Sequence, residues 1–297
     1  MTHKIHVVDV FTDKPLAGNQ LAVVLDAQDI PGDVMQRIAK EMNIAETTFV
    51  LPPDDPAHAA KVRIFTPAVE MPFAGHPTVG TSWVLSTQGL VPGGALEFTL
   101  EEGVGPVKVR GVKGPDGLVF WMTHPPVTFG ETLKDHDHVA EAIGVRSDDL
   151  LPNVPVQVAS TGMPFLYVAL KDVRAVDRAE SSQQKLRGLF RTAEPLPAFI
   201  FAPVGDNHLY SRMFAPHVFD IPEDPATGSA SGPLGAFAVK YGLVPRARKV
   251  ALVSEQGVKM GRRSLVHIEL TYDAAGDIPA KIEVGGSVVA VIKGELL

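Results

Sequence analysis

Short apolar and β-branched runs recur along the chain at the spacing of strands, and they predict a protein built mostly of sheet. Ile5–Phe11, Leu21–Leu25, Thr47–Leu51 and Lys61–Phe65 read as strands in the first half. ALEFTL, PVKVR and LVFWM follow, separated by glycine turns at Gly93-Gly94, Gly103-Val104-Gly105 and Gly117. In the second half PVQVA, PFLYVAL, AFIFAP, HLYSRMF, SLVHIEL and KIEVGGSVVAVI repeat the style. Helical signals are fewer. Pro31–Asn43 opens with proline and aspartate and sets Val34, Met35, Ile38, Ala39 and Met42 at helical spacing. DHDHVAEAIGV, around Val139, is a second amphipathic candidate.

Two further stretches, His76–Gly89 and Ser229–Gly242, are small or apolar nearly all round. Each begins with a polar capping candidate, has an early proline and ends at glycine, the asymmetry expected of a helix. A helix with no charged face is buried on every side. That predicts a central helix wrapped by a curved sheet, one in each half.

The halves are also related by repetition. RIFTPAVEMPFAGHPTVG (Arg63–Gly80) and RMFAPHVFDIPEDPATGSASG (Arg212–Gly232) both start Arg-x-Phe-x-Pro and both reach Glu-x-Pro-x-x-Gly followed by a polar residue. Only the spacer differs, at two residues in one copy and six in the other. Upstream, GNQLAVVL (Gly18–Leu25) matches GMPFLYVAL (Gly162–Leu170) in style and order. The expected class is α+β, with two pseudo-symmetric domains, each a barrel-like bent sheet around a central helix. Their expected extents are 1–127 plus about 282–297, and 128–281.

Composition narrows the chemistry. The 297 residues are 45% hydrophobic and 21% charged, ordinary for a globular protein. Net charge is −7, from 27 basic and 34 acidic side chains, with no basic cluster, which argues against nucleic acid as a partner. No apolar run approaches the roughly 18 residues of a membrane span. MTHKIHVVDVF enters a strand at once, so neither membrane nor signal peptide is expected, and a cytoplasmic location is. Cysteine is absent, which removes disulfides, thiolate metal sites and thiol nucleophiles together. No Gly-x-Gly-x-x-Gly follows a strand and no phosphate loop exists, so no nucleotide cofactor is expected. Asp135, His136, Asp137 and His138 are metal-ligand types at an expected exposed helix start, and no metal is expected there. GSASG (Gly228–Gly232) carries Ala230 where a nucleophile elbow needs serine. Ser229 therefore reads as a hydrogen-bond donor.

Helix N-termini present unpaired N–H groups and positive potential, so Gly75 and Gly228 mark two anion sites. If the copies face each other across the domain cleft, both helix starts converge on one pocket for a small carboxylate-bearing molecule. Glu46, His76 and Asp224 are the titratable groups near these turns. Each also has a plainer reading: a solvated loop charge, a helix cap and a turn-former. Brought together they form a set suited to acid–base work.

GNQLAVV, MQRIAKEMNIAETTFVL, RIFTPAVEMPFAGHPTVGT, SRMFAP and EDPATGSASGPLGAF together resemble the PhzF family of phenazine-biosynthesis isomerases, from about Ile5 to about Lys293. The resemblance implies the diaminopimelate epimerase-like fold, with the active site between two similar domains, and a homodimer. Related epimerases carry one cysteine at each helix start; the corresponding positions here are Ala74 and Thr227, so a two-thiol mechanism is excluded. What it implies instead is a cofactor-independent isomerase in which Glu46 moves a proton on a small cyclic amino or hydroxy carboxylate. The prototype substrate is trans-2,3-dihydro-3-hydroxyanthranilate. His76, Asp224 and Ser229 would hold its amino and carboxylate groups, and the backbone at Gly75 and Gly228 would bind the carboxylate. Thr227 joins the substrate-binding set; Asn19 is a weaker member whose other reading is an Asx turn. Two other functions stay open: a carboxylate-based racemase or epimerase on another small acid, and a non-catalytic metabolite-binding protein.

Overall fold

The computed structural model describes residues 2–114, 117–190, 196–215, 222–274 and 276–297. Two units emerge, Met1–Thr123 with Val284–Leu297, and His124–His217 with Ile221–Glu283. No helix among the described residues is long and apolar enough to cross a membrane.

The first unit runs β1 (His3–Val10), β2 (Asn19–Val24), α1 (Gly32–Met42), β3 (Glu46–Leu51), β4 (Ala60–Phe65), β5 (Glu70–Met71), α2 (Gly75–Thr87), β6 (Glu97–Glu102), β7 (Gly105–Gly114) and β8 (Gly117–Thr123). Strand β1 pairs antiparallel with β2, β2 parallel with β3, β3 antiparallel with β4, and β4 parallel with β6. Antiparallel pairing continues through β7 and β8. The two parallel steps are the ones that need helical crossovers, and α1 and α2 supply them.

The second unit runs β9 (Thr128–Leu133), α3 (His136–Ile143), β10 (Val156–Ser160), β11 (Pro164–Ala169), α4 (Val173–Arg178), α5 (Gln183–Gly188), β12 (Ala198–Gly205), β13 (His208–Phe214), β14 (Glu223–Asp224), α6 (Gly228–Lys240), β15 (Lys249–Gln256), β16 (Ser264–Thr271) and the start of β17 (Lys281–Leu296). Its pairings reproduce the first unit step by step. β10 is antiparallel to β11, β11 parallel to β12, β12 antiparallel to β13, β13 parallel to β15, and β15 antiparallel to β16. The later part of β17 returns to the first unit. There it pairs with β1 and β8, closing the sheet into a barrel with no free seam.

Helix α2 packs on β1, β2, β3, β7 and β8, and α6 packs on β10, β11 and β16. Nearly every residue of both helices is buried, as their uncharged faces predict. Outside each sheet lies a second apolar layer. Met35 and Ala39 of α1 cover Val7, Val24 and Phe49, while Val139 and Ile143 of α3 and Val176 of α4 cover Leu166, Val168 and Ile200. Helix α1 starts one residue inside the expected stretch, after Pro31, and stops at Asn43, whose φ of 50° is left-handed. Strands β5, β9, β14 and β15 and helices α4 and α5 are additions to the elements legible in the sequence.

Candidate functional site

In the first unit the polar groups gather where α2 begins. Glu46 opens β3, in parallel register opposite Leu21 of β2. His76 is the second residue of α2, and its Nε2 lies 3.2 Å from Glu46 Oε2 and 3.3 Å from the Gln20 carbonyl oxygen. Asn19 Nδ2 lies 3.1 Å from His76 Nδ1. An amide nitrogen only donates, so Nδ1 accepts and the neutral ring carries its proton on Nε2. Burial pushes the imidazole down to about 3, against a smaller upward pull from the Gln20 carbonyl. His76 is thus a neutral donor whose one proton is directed at the Gln20 carbonyl, with the Glu46 carboxyl 3.2 Å from the same nitrogen. Asn19 is fully buried and contacts His76.

The expected capping roles of His76 and Ser229 give way to a different arrangement. Ala74 and Thr227 occupy the cap positions, and neither makes a side-chain capping bond. The imidazole turns toward β2 because Asn19 and Gln20 offer it partners that the open end of its own helix does not. Gly75 and Gly228 are the first residues of α2 and α6, each starting a helix whose leading amides are uncapped by side chains.

In the second unit Asp224 sits in the short strand β14, opposite Met213. It is buried, and Thr227 donates its hydroxyl to Asp224 Oδ2 at 2.5 Å. Gln256, at the end of β15, holds this turn together. Its Oε1 accepts from the Thr227 N–H at 3.0 Å and its Nε2 donates to the Asp224 carbonyl at 2.7 Å. Ser229, half-buried, stands second in α6, as His76 does in α2. Gln256 carries no motif and is absent from the residues the sequence singles out.

The repeated Arg-x-Phe-x-Pro and Glu-x-Pro segments also have a physical content that sequence reading missed. In each copy the arginine grips the glutamate with two hydrogen bonds. Arg63 Nε and Nη2 reach Glu70 at 2.7 Å each, and Arg212 Nε and Nη2 reach Glu223 at 2.8 and 2.9 Å. Each guanidinium also lies over the phenylalanine of its own motif, at 5.1 Å for Phe65 and 4.8 Å for Phe214. The clamp fixes the strand just before each helix start. Recurrence of the Arg and Glu letters was the signal that could have found it.

Among the described residues no cluster of His, Asp and Glu is arranged to hold a metal. Asp135 instead caps α3, accepting from the His138 N–H at 3.0 Å.

The family model described as phenazine biosynthesis-like protein, PhzC-PhzF, matches residues 8–294. The chain belongs to that family. An uncharacterized isomerase of Mesorhizobium japonicum is 36% identical, covering 99% of this chain and 99% of its own. The trans-2,3-dihydro-3-hydroxyanthranilate isomerase of Pseudomonas aeruginosa is 32% identical over 98% of each chain. Among solved structures, a Bacillus anthracis phenazine biosynthesis protein of the PhzF family matches with a TM-score of 0.91 at 27% identity, covering 100% of this chain and 99% of that one. The PhzF resemblance and the epimerase-like α+β fold expected from the sequence are both borne out. This PhzF-family chain is an isomerase.

Proposed function

We propose that this isomerase shifts a proton on a small cyclic amino or hydroxy carboxylate of the trans-2,3-dihydro-3-hydroxyanthranilate type, with Glu46 as the general acid and base. The observation that carries the reading is the 3.2 Å approach of Glu46 Oε2 to Nε2 of a buried, neutral His76. Ionised Glu46 takes the proton from C3 of the ring and, now a carboxylic acid, returns a proton to another carbon on the same face. Atoms and charge balance without an added reagent, so the reaction is proposed to need neither metal nor organic cofactor.

His76 suits the role because its single Nε2 proton has two acceptors at nearly equal distance, 3.2 and 3.3 Å. While Glu46 is ionised, the N–H stabilises its charge. Once Glu46 is protonated, the same N–H turns to the Gln20 carbonyl, so no buried donor is stranded in either state. Asn19 keeps the ring in the tautomer that makes this exchange work. The uncapped amides at Gly75 and Gly228 are proposed to serve the substrate carboxylate, and Asp224, Thr227 and Ser229 its amino group and shifting charge.

The test is Glu46→Gln, assayed for proton exchange and turnover of trans-2,3-dihydro-3-hydroxyanthranilate in heavy water. Binding should survive and exchange should stop. Exchange at the unmodified rate would remove Glu46 from the mechanism. Deuterium entering a chiral centre with loss of optical activity would replace isomerisation with racemisation.

A further inference from the structure

Glu102 ends β6 on the inner face of the first barrel. Alternation puts Leu100 and Glu102 inward, with buried Val107 of β7 opposite Leu100 and buried Ala60 and Val62 on β4. Lys61 and Arg63 on β4, Glu101 on β6 and Lys108 and Arg110 on β7 alternate to the other face. Glu70 on β5 is held by Arg63, and β8 carries no titratable residue. On α2 the titratable group is His76, which is neutral. Among the described residues, Glu102 therefore sits in an apolar compartment without a cation.

Its hydrogen bonds require a proton. Glu102 Oε1 lies 2.6 Å from Thr78 Oγ1, which also lies 2.8 Å from the Ala74 carbonyl oxygen. A hydroxyl has one proton and a carbonyl has none. Both contacts are hydrogen bonds only if Glu102 is a carboxylic acid that donates to Thr78 while Thr78 donates to Ala74. Oε2 is buried and has no hydrogen-bond partner among the described residues, an arrangement a carboxylate would not tolerate. Burial pushes Glu102 up to about 8, with the Thr78 hydroxyl opposing.

The chain's own repeat supplies an independent observation. Lys61 pairs with Glu101, and Tyr210, which precedes Arg212 as Lys61 precedes Arg63, pairs with Glu255. The next residues, Glu102 and Gln256, are therefore counterparts. Both are followed by a glycine pressed on the proline of the repeated Glu-x-Pro. A Cβ at Gly103 would come within 2.7 Å of Pro72 Cα, and one at Gly257 within 2.6 Å of the Pro225 oxygen. Ser231 Oγ donates to the Thr227 carbonyl at 2.9 Å, as Thr78 does to Ala74. The second unit thus fills the position with an amide that is neutral at every pH, and the first with an acid that is neutral only while protonated.

We propose that Glu102 is a positioning residue for α2, a neutral donor that locks the first turn through Thr78, and that losing its proton switches the helix end off. On ionisation the Thr78 hydroxyl swings to the carboxylate, and the Ala74 carbonyl keeps only the long bond from the Thr78 N–H, at 3.4 Å. A negative charge then stands behind the amides at Gly75 and opposes an anionic ligand. This consequence rests on the reading of the α2 start as a substrate-carboxylate site; the protonation itself does not.

The experiment compares the wild type with Glu102→Gln, which gives the first unit the side chain that the second already carries. Infrared difference spectra at neutral pH should show a carboxylic-acid carbonyl band that disappears in Glu102→Gln. In the wild type the band should titrate away near the value of about 8. For trans-2,3-dihydro-3-hydroxyanthranilate, kcat/KM of the wild type should fall about tenfold per pH unit beyond that midpoint, and Glu102→Gln should lack this alkaline limb. No band at neutral pH in the wild type, or the same alkaline limb in Glu102→Gln, overturns the proposal. If neither protein turns over the substrate, the function proposed above fails, and the infrared titration of the wild type alone still decides the protonation of Glu102.

Discussion

Arg63 and Glu70 face each other through two parallel hydrogen bonds of 2.7 Å, and the same two letters of the repeat, Arg212 and Glu223, meet in the same way in the other unit. The clamps differ in their surroundings. The Arg63 and Glu70 side chains are 31% and 44% exposed, whereas those of Arg212 and Glu223 are 9% and 16% exposed. Arg212 Nη1 also donates to the carbonyls of Val176, Asp177 and Ala179, at 3.1, 3.3 and 2.8 Å. Arg63→Met should therefore cost about 0–1 kcal/mol in urea unfolding, as exposed pairs do. Arg212→Met strands a buried carboxylate and takes a donor from three carbonyls, of which Val176 keeps the Ala179 N–H, and should cost about 3–5 kcal/mol. Equal losses would mean that burial does not set the strength of the clamp.

A second prediction concerns the tautomer of His76. Nitrogen chemical shifts should show Nε2 protonated and Nδ1 bare at neutral pH, because Asn19 donates to Nδ1. Asn19→Leu removes that donor and should lower kcat/KM by about 1–3 kcal/mol, roughly 5- to 150-fold, with a smaller change in KM. Asn19→Asp should be worse. An aspartate accepts from Nδ1–H, which leaves a bare Nε2 facing two acceptors, Glu46 and Gln20. If the aspartate variant outperforms the leucine variant, the tautomer is not what Asn19 controls.

Acid stability follows from two buried imidazoles. Burial pushes both His76 and His124 down to about 3 from an ordinary 6.5. Between those values the unfolded chain binds protons that the folded chain refuses, so stability falls as pH drops from about 6.5 toward about 3. The slope should approach about 1.4 kcal/mol per pH unit for each histidine. Replacing His124, whose Nδ1 lies 2.8 Å from Thr161 Oγ1, with Gln should remove that histidine's share of the slope. Urea midpoints that stay level over that range would contradict this account.

The architecture was legible because the repeat spells out its own turns. Arg63, Glu70 and Gly75 recur as Arg212, Glu223 and Gly228, and the two uncharged helices announce their burial. What stayed hidden was tertiary. Strand β15 alternates inward and outward, but Ser254 and Gln256 take inward places after Val250 and Leu252, so its apolar period fades where the site begins. Gln256 is unremarkable until Thr227 is beside it. His76 read locally as a cap, yet its partners lie more than fifty residues upstream, at Asn19 and Gln20. Helices α4 and α5 are six residues each, too short for a period, and are started by Asp172 and Ser182 side chains.

The route of β17 has a consequence for biosynthesis. Val288, Val289 and Ala290 lie against Val10, Asp9 and Val8, so the first barrel is completed by residues made only after the whole second unit. As the chain leaves the ribosome, the segment carrying Glu46 and His76 emerges before its closing stave and must wait for it. Until that arrives, β1 and β8 present open edges, the period of greatest exposure to chaperones and to mispairing with neighbouring chains.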